Sequence, residues 1–277
     1  METSSRFRSR AKTLLAIVAI CGLCLDSFIQ QGQRQSAESK AKSLADHEAL
    51  IEEMDVTPRV LLYLTTYDSE SHFDFLRVCW PLSIANSILL KNADVFVFSS
   101  GHNLIFGTSR KRSLAEATFP GQNVSVHVHS NPGHQEGAIM AIEEALKNGW
   151  FNGYDWVIRL NPDVIIRNDT WIRETMNDAS VDGIFVMCAG HIQTDFTIFR
   201  PKALASGADF SPYEGLGAEP VFTNRVMPIL ASGRYKYLPG TDDSRTMCRV
   251  RGKDSPVLHE HDYLHFCRED LLGYVKW

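Results

Sequence analysis

The segment Gly153–Ile172, GYDWVIRLNPDVIIRNDTWI, holds two apolar runs separated by Asn161-Pro162-Asp163. The first run, Trp156 to Leu160, has the length and side-chain type of a buried strand. Pro162 cannot donate to a central ladder and restricts the residue before it, so the strand ends there. Asp163 is thereby carried on a stiff turn at the sheet's rim. Position alone leaves two readings: a capping carboxylate in a polar turn, or a carboxylate that holds Mn²⁺ or Mg²⁺ beneath a diphosphate, with water and phosphate oxygens completing the shell.

Outward from this segment the periodicities alternate. RVLLYLTTY, ADVFVFSS, VSVHVHS, DWVIRL, GIFVM, TDFTIFRP and YKYL read as strands. FDFLRVCWPLSIANSILLK, QEGAIMAIEEALKNG, TWIRETMND and EPVFTNRVMPILASG read as helices, the last interrupted by Pro228. The Gly-, Arg- and Lys-rich stretch before VSVHVHS reads as a connection. Alternating helices and near-continuous apolar strands predict an α/β domain, a mostly parallel sheet covered by helices on both faces. Open sheets of this kind bind ligands outside the carboxyl ends of their strands, where Asp163 sits.

The chain has 277 residues, 44% hydrophobic and 22% charged, enough for one large domain and an appendage. Its net charge of −5 gives no basic footprint for nucleic acid. Arg6, Arg8, Arg10 and Lys12 precede an uncharged run from Thr13 to Leu25. Residues 1–12 are therefore expected to be a cytoplasmic basic tail and 13–29 a signal-anchor, or alternatively a signal peptide, which sends the remainder across the membrane. Residues 30–57 are polar and lack aromatics, as a stem would, and Pro58 opens the domain at 58–277. Two sequons, at Asn123 and Asn168, agree with a lumenal location. Cys79, Cys188, Cys248 and Cys267 lie beyond the apolar run. They allow three pairings, or four reduced thiols. No phosphate-binding loop and no Gly-x-Ser-x-Gly elbow occurs.

The run Gly137–Asp169, GAIMAIEEALKNGWFNGYDWVIRLNPDVIIRND, resembles the middle of a GT-A-fold nucleotide-sugar glycosyltransferase. In that fold a helix, a strand ending in an Asp-x-Asp-type motif and a second apolar stretch follow in this order. The tail, anchor, stem and α/β domain are similar to the Golgi type II layout of many such enzymes. The resemblance implies transfer of a sugar from a nucleotide-diphosphate donor to a hydroxyl of a glycan or glycoprotein, in the ER or Golgi lumen. It implies Asp163 as a ligand of Mn²⁺ or Mg²⁺, joined by one of His259, His261 and His265, of which His261 is the candidate. The sequence departs from the family at Asn161, which stands where the first acid would be; a neutral amide is the weaker ligand.

Other positions follow from the same resemblance. Thr65, Tyr67 and Asp68 leave the first strand where base and ribose bind, and Gln135 begins the helix before the motif. Arg159 is open to a ligand or to a buried partner. Glu219, at a helix start after a Gly-rich loop, is the candidate base for an inverting reaction, with Asp195 as runner-up base or acceptor contact. Two rival readings stand beside the transferase: a catalytically silent GT-A-like lumenal protein that binds glycans or partners, and a cytosolic sugar nucleotidyltransferase.

Overall fold

Val60–Tyr67 form strand β1, and its first seven residues are buried. The burial is two-sided. Leu62 and Leu64 pack in one core layer with Trp80, Val97, Ile158 and Ile198. Leu61 and Tyr63 pack in the other with Ile142, Val157, Phe199 and Phe222. A strand with both faces covered is apolar throughout rather than alternating, as its sequence is.

The computed structural model describes residues 58–67, 69–101, 108–130, 133–188, 190–205, 217–240 and 255–259. All belong to the second of the two units into which the chain divides, Met1–Thr57 and Pro58–Trp277. The basic tail, apolar run and stem lie outside the described residues. No helix among the described residues is long and apolar enough to cross a membrane.

After β1 come α1 (Glu70–Asp74), a π-helical turn (Phe75–Cys79), α2 (Trp80–Asn86), α3 (Ile88–Asn92), β2 (Asp94–Gly101), α4 (Thr108–Thr118) and β3 (Val124–Ser130). Then follow α5 (His134–Lys147), β4 (Trp156–Leu160), β5 (Val164–Ile166), α6 (Thr170–Asn177), β6 (Gly183–Cys188) and β7 (His191–Phe199). A short 3₁₀ turn (Pro201–Ala203), α7 (Ala218–Ser232), β8 (Tyr235–Tyr237) and β9 (Val257–His259) complete the order. The main sheet runs β3-β2-β1-β4-β7-β6-β8. Its β1–β2, β2–β3, β1–β4 and β6–β8 pairs are parallel, and β7 runs antiparallel to both β4 and β6. The expected α/β class with a mostly parallel sheet is what the chain adopts.

Three features depart from the sequence reading. The stretch read as a connection before β3 contains helix α4, whose buried residues are Lys111, Ala115 and Thr118. Helix α7 runs through Pro228 without interruption. Asn224, whose carbonyl loses its intrahelical partner at that proline, is exposed and can turn it to water, while Val226 and Ile229 keep both sides of the break in the core. Finally β9, not foreseen, pairs antiparallel with β5 and sets His259 opposite Val164.

Helices α5 and α7 are joined by a buried ion pair between Arg225 and Glu143, two-pronged, with Arg225 Nε donating to Oε1 at 2.9 Å. Replacing Glu143 with alanine takes this carboxylate away from the buried guanidinium. That is expected to cost about 3 kcal/mol, the low end for a broken buried pair because Glu143 is partly exposed. A fall in Tm of about 6–12 °C in a thermal melt would register it.

The sequon asparagines Asn123 and Asn168 are both exposed. Asn168 lies five residues beyond Asp163 in sequence, yet buried β5 separates the two, so exposure at one and burial at the other are compatible. Cys79 is buried and disulfide-bonded.

Candidate functional site

From β1 the sheet grows in opposite directions, to β2 and β3 on one side and to β4 and β7 on the other. The crevice outside the carboxyl ends of β1 and β4 is therefore the switch point at which open α/β sheets bind ligands. A cavity of about 600 Å³ opens there, the size of a small-molecule site. Thr65, Tyr67, Gln135, Arg159, Asn161, Asp163, Asp195 and Glu219 all line it. Asp68, His261 and His265, also singled out in the sequence, lie outside the described residues.

The Asn161-Pro162-Asp163 turn is fixed from both sides. Val164 N donates to Asn161 O at 3.0 Å, and Trp80 Nε1 donates to Pro162 O at 2.9 Å. Asp163 is 4% exposed. Its Oδ1 lies 3.9 Å from His72 Nε2 and its Oδ2 lies 3.7 Å from His259 Nε2. Among the described residues the C-terminal histidine beside Asp163 is His259, which is 1% exposed. The same Nε2 is 3.7 Å from Asp195 Oδ2. Gln193 reaches the other ring nitrogen, with Nε2 to Nδ1 at 3.4 Å.

Asn161 is engaged at both ends of its amide. Its Oδ1 accepts from Thr65 Oγ1 at 2.8 Å, and its Nδ2 donates to Asp195 Oδ1 at 2.7 Å. Its backbone N–H also donates to Asp195 O at 3.0 Å. Arg159 lies two residues earlier on the same face of β4 and is 1% exposed, with Nε and Nη1 lacking a hydrogen-bond partner among the described residues. Burial lowers its pKa below the ordinary guanidinium value, and the Asp195 carboxylate is the largest charge opposing that shift. Buried N–H groups facing a cavity are donors awaiting an acceptor.

The opposite wall is the start of α5 and α7. Gly133, at φ 139°, turns the chain into α5 in a conformation that favours glycine. Gln135 Oε1 accepts from Ala218 N and so straps the two helix starts together. Glu219, in the first turn of α7, accepts at Oε1 from Thr194 Oγ1 at 3.2 Å.

Sequence reasoning missed His72, Gln193 and Thr194. Gln193 stands two residues before Asp195 and so on the same face of β7, a period-two signal that was there to read. His72 carries no such signal; its place depends on Thr66 Oγ1, 2.8 Å from its Nδ1.

Asp163 lines the cavity and His259, which does not, lies 3.7 Å from its carboxylate; a carboxylate and an imidazole are ligand types that suit a divalent cation. Among the described residues, no three His, Cys, Asp or Glu side chains close tightly enough to hold an ion unaided.

No family model matches the chain, and no curated protein matches its sequence. Among solved structures it is similar to a mannosyltransferase from Pyrobaculum calidifontis in complex with GDP-Man and Mn²⁺, with 15% identity, a TM-score of 0.43, and coverage of 66% of this chain and 55% of that one. The chain thus spans about half the length of that enzyme. It is also similar to core-mannan synthase A from Aspergillus fumigatus in its Mn/GDP form, with 10% identity, a TM-score of 0.44, and coverage of 66% and 73%. A third is the galactosyltransferase LgtC in complex with donor and acceptor sugar analogs, with 14% identity, a TM-score of 0.44, and coverage of 79% and 96%.

Proposed function

We propose that the chain is a nucleotide-sugar glycosyltransferase of GT-A type, moving a sugar from a nucleotide-diphosphate donor to a hydroxyl of a glycan or glycoprotein. The observation that carries this reading is the cavity at the β1/β4 switch point, lined by the buried Asp163 carboxylate and by Arg159, whose buried N–H groups await an acceptor. Asp163 and His259 would hold Mn²⁺ or Mg²⁺, which when bound neutralises charge on the departing diphosphate. Thr65 and Tyr67 line the end of β1, where base and ribose would lie, and Arg159 meets oxygens of the donor. In an inverting reaction the acceptor oxygen attacks the anomeric carbon, the bond to the diphosphate breaks, and Glu219 takes the hydroxyl's proton. Thr194 fixes the Glu219 carboxylate from behind by its hydrogen bond to Oε1.

As part of the same proposal, the domain works in the ER or Golgi lumen, behind an N-terminal signal-anchor or after a signal peptide. The basic residues before an apolar run, the exposed sequon asparagines and the disulfide at Cys79 support that location.

Titrating UDP and GDP into the full chain, with and without Mn²⁺, tests the reading. One of the two is expected to bind, and Mn²⁺ to tighten it by at least about tenfold, or 1.4 kcal/mol. Absence of binding by either nucleotide under both conditions contradicts the reading and favours the silent protein.

A further inference from the structure

Strand β8 closes one edge of the main sheet and turns Tyr235 and Tyr237 to the same face, where their rings meet edge to face with centroids 5.2 Å apart. Tyr237 Oη donates to Met187 Sδ on the neighbouring β6 at 3.9 Å. Met187 and Tyr237 are each 40% exposed. A single exposed apolar side chain needs no explanation. Here two of them touch, over a buried floor: Tyr237 stands opposite Phe185 and Met187 opposite Ile192.

We propose that this surface is a docking platform for the acceptor glycan, on which a neutral oligosaccharide lays a sugar face against Tyr235, Tyr237 and Met187 while its reactive end reaches Glu219. The inference rests on the transferase reading above and deepens it, by placing part of the acceptor outside the cavity.

Two short routes join the platform to the candidate base. Along β7, Thr194 donates to the Glu219 carboxylate and stands two residues from Ile192 on the same face, about 7 Å away. Along α7, Thr223 sits one turn beyond Glu219; its Oγ1 donates to Glu219 O at 2.7 Å and accepts from Ile192 N at 2.9 Å. Met187 is the residue across from Ile192. One further strand spacing thus separates these contacts from the platform, a total on the order of 10 Å. An oligosaccharide covers that span and a monosaccharide does not.

The chemistry favours a sugar as the occupant. A pyranose has an apolar C–H face and a rim of hydroxyls, and tyrosine answers both with an apolar ring and a polar tip. Lys236, between the two tyrosines in sequence, falls on the opposite face of β8 and keeps its charge away from them. Two partly exposed rings and a thioether offer at most about a few hundred Å². That is short of the roughly 800 Å² per partner that a stable protein interface buries.

The test is binding of the full chain to an array of neutral oligosaccharides, followed by calorimetry with the best-bound one and with UDP and GDP. At least one oligosaccharide is expected to bind. Tyr237→Ala is expected to weaken it by about tenfold or more, and Tyr237→Phe, which keeps the ring, by less than about threefold. Tm and nucleotide affinity should move little in either variant, because Tyr237 is exposed and does not line the cavity. No bound oligosaccharide, an unchanged affinity in Tyr237→Ala, or an equal loss of nucleotide binding in that variant each overturns the inference. So does self-association in sedimentation that Tyr237→Ala abolishes, because a second copy of the chain is then the occupant. Tyr237-dependent oligosaccharide binding in a chain that binds neither nucleotide upholds the platform and refutes the transferase reading, leaving the silent glycan-binding protein.

Discussion

Asp163→Asn is expected to lower turnover by at least about 10²-fold while moving Tm little. The asparagine has the shape of the aspartate, so the turn held by Trp80 and Val164 survives. What disappears is the charge facing His259 at 3.7 Å and His72 at 3.9 Å. If that charge anchors the ion that stabilises the departing diphosphate, its loss removes several kcal/mol from the transition state, and about 3 kcal/mol already corresponds to 10²-fold. Donor hydrolysis, measured with whichever sugar nucleotide a screen identifies, checks the rate. A second readout belongs to the same variant: Mn²⁺ should no longer tighten nucleotide binding. Unchanged turnover with a normal melt would remove Asp163 from the mechanism.

The second large effect is on the scaffold. Trp80 is fully buried, belongs to the main core layer, and donates Nε1–H to the carbonyl of Pro162. Trp80→Ala opens a cavity and is expected to cost about 3–5 kcal/mol, a fall in Tm of about 6–20 °C. Trp80→Phe separates the two contributions. It keeps most of the apolar volume but leaves the Pro162 carbonyl without its donor, at about 1–3 kcal/mol. Because that carbonyl lies in the turn that carries Asp163, the phenylalanine variant should also lose Mn²⁺-dependent nucleotide affinity beyond what its Tm explains. A variant that only melts earlier would show that Trp80 supports the core and not the site.

Much of this arrangement was legible in the chain. Strands β1, β2 and β4 carry near-continuous apolar runs because both their faces are covered, and those runs alternating with helices identified the parallel sheet. The Asn161-Pro162-Asp163 turn announced itself, since proline must end a central strand. What the chain did not reveal depends on contacts between distant segments. Helix α4 is mostly polar and buries only Lys111, Ala115 and Thr118, so no apolar stripe marks it. Strand β9 is three residues long and exists because β5 offers it a partner nearly a hundred positions earlier. His259, the one C-terminal histidine among the described residues, is brought beside Asp163 by that pairing, and nothing in LHEHDYLHFC marks it in advance. Asn161 looked like a weakened ligand when read alone; in the fold its amide joins Thr65 to Asp195. Helix α7 shows the opposite error, a correct local rule about Pro228 overridden by solvent at Asn224 and packing at Val226 and Ile229.

The most direct measurement is a crystal of the full chain grown with Mn²⁺ and whichever of UDP and GDP binds, with anomalous scattering recorded at the manganese edge. The expected result is a single strong peak in the β1/β4 cavity, within bonding distance of Asp163 and His259 and capped by diphosphate oxygens. A nucleotide bound elsewhere, or a cavity with no manganese and Asp163 turned toward the core, would contradict it.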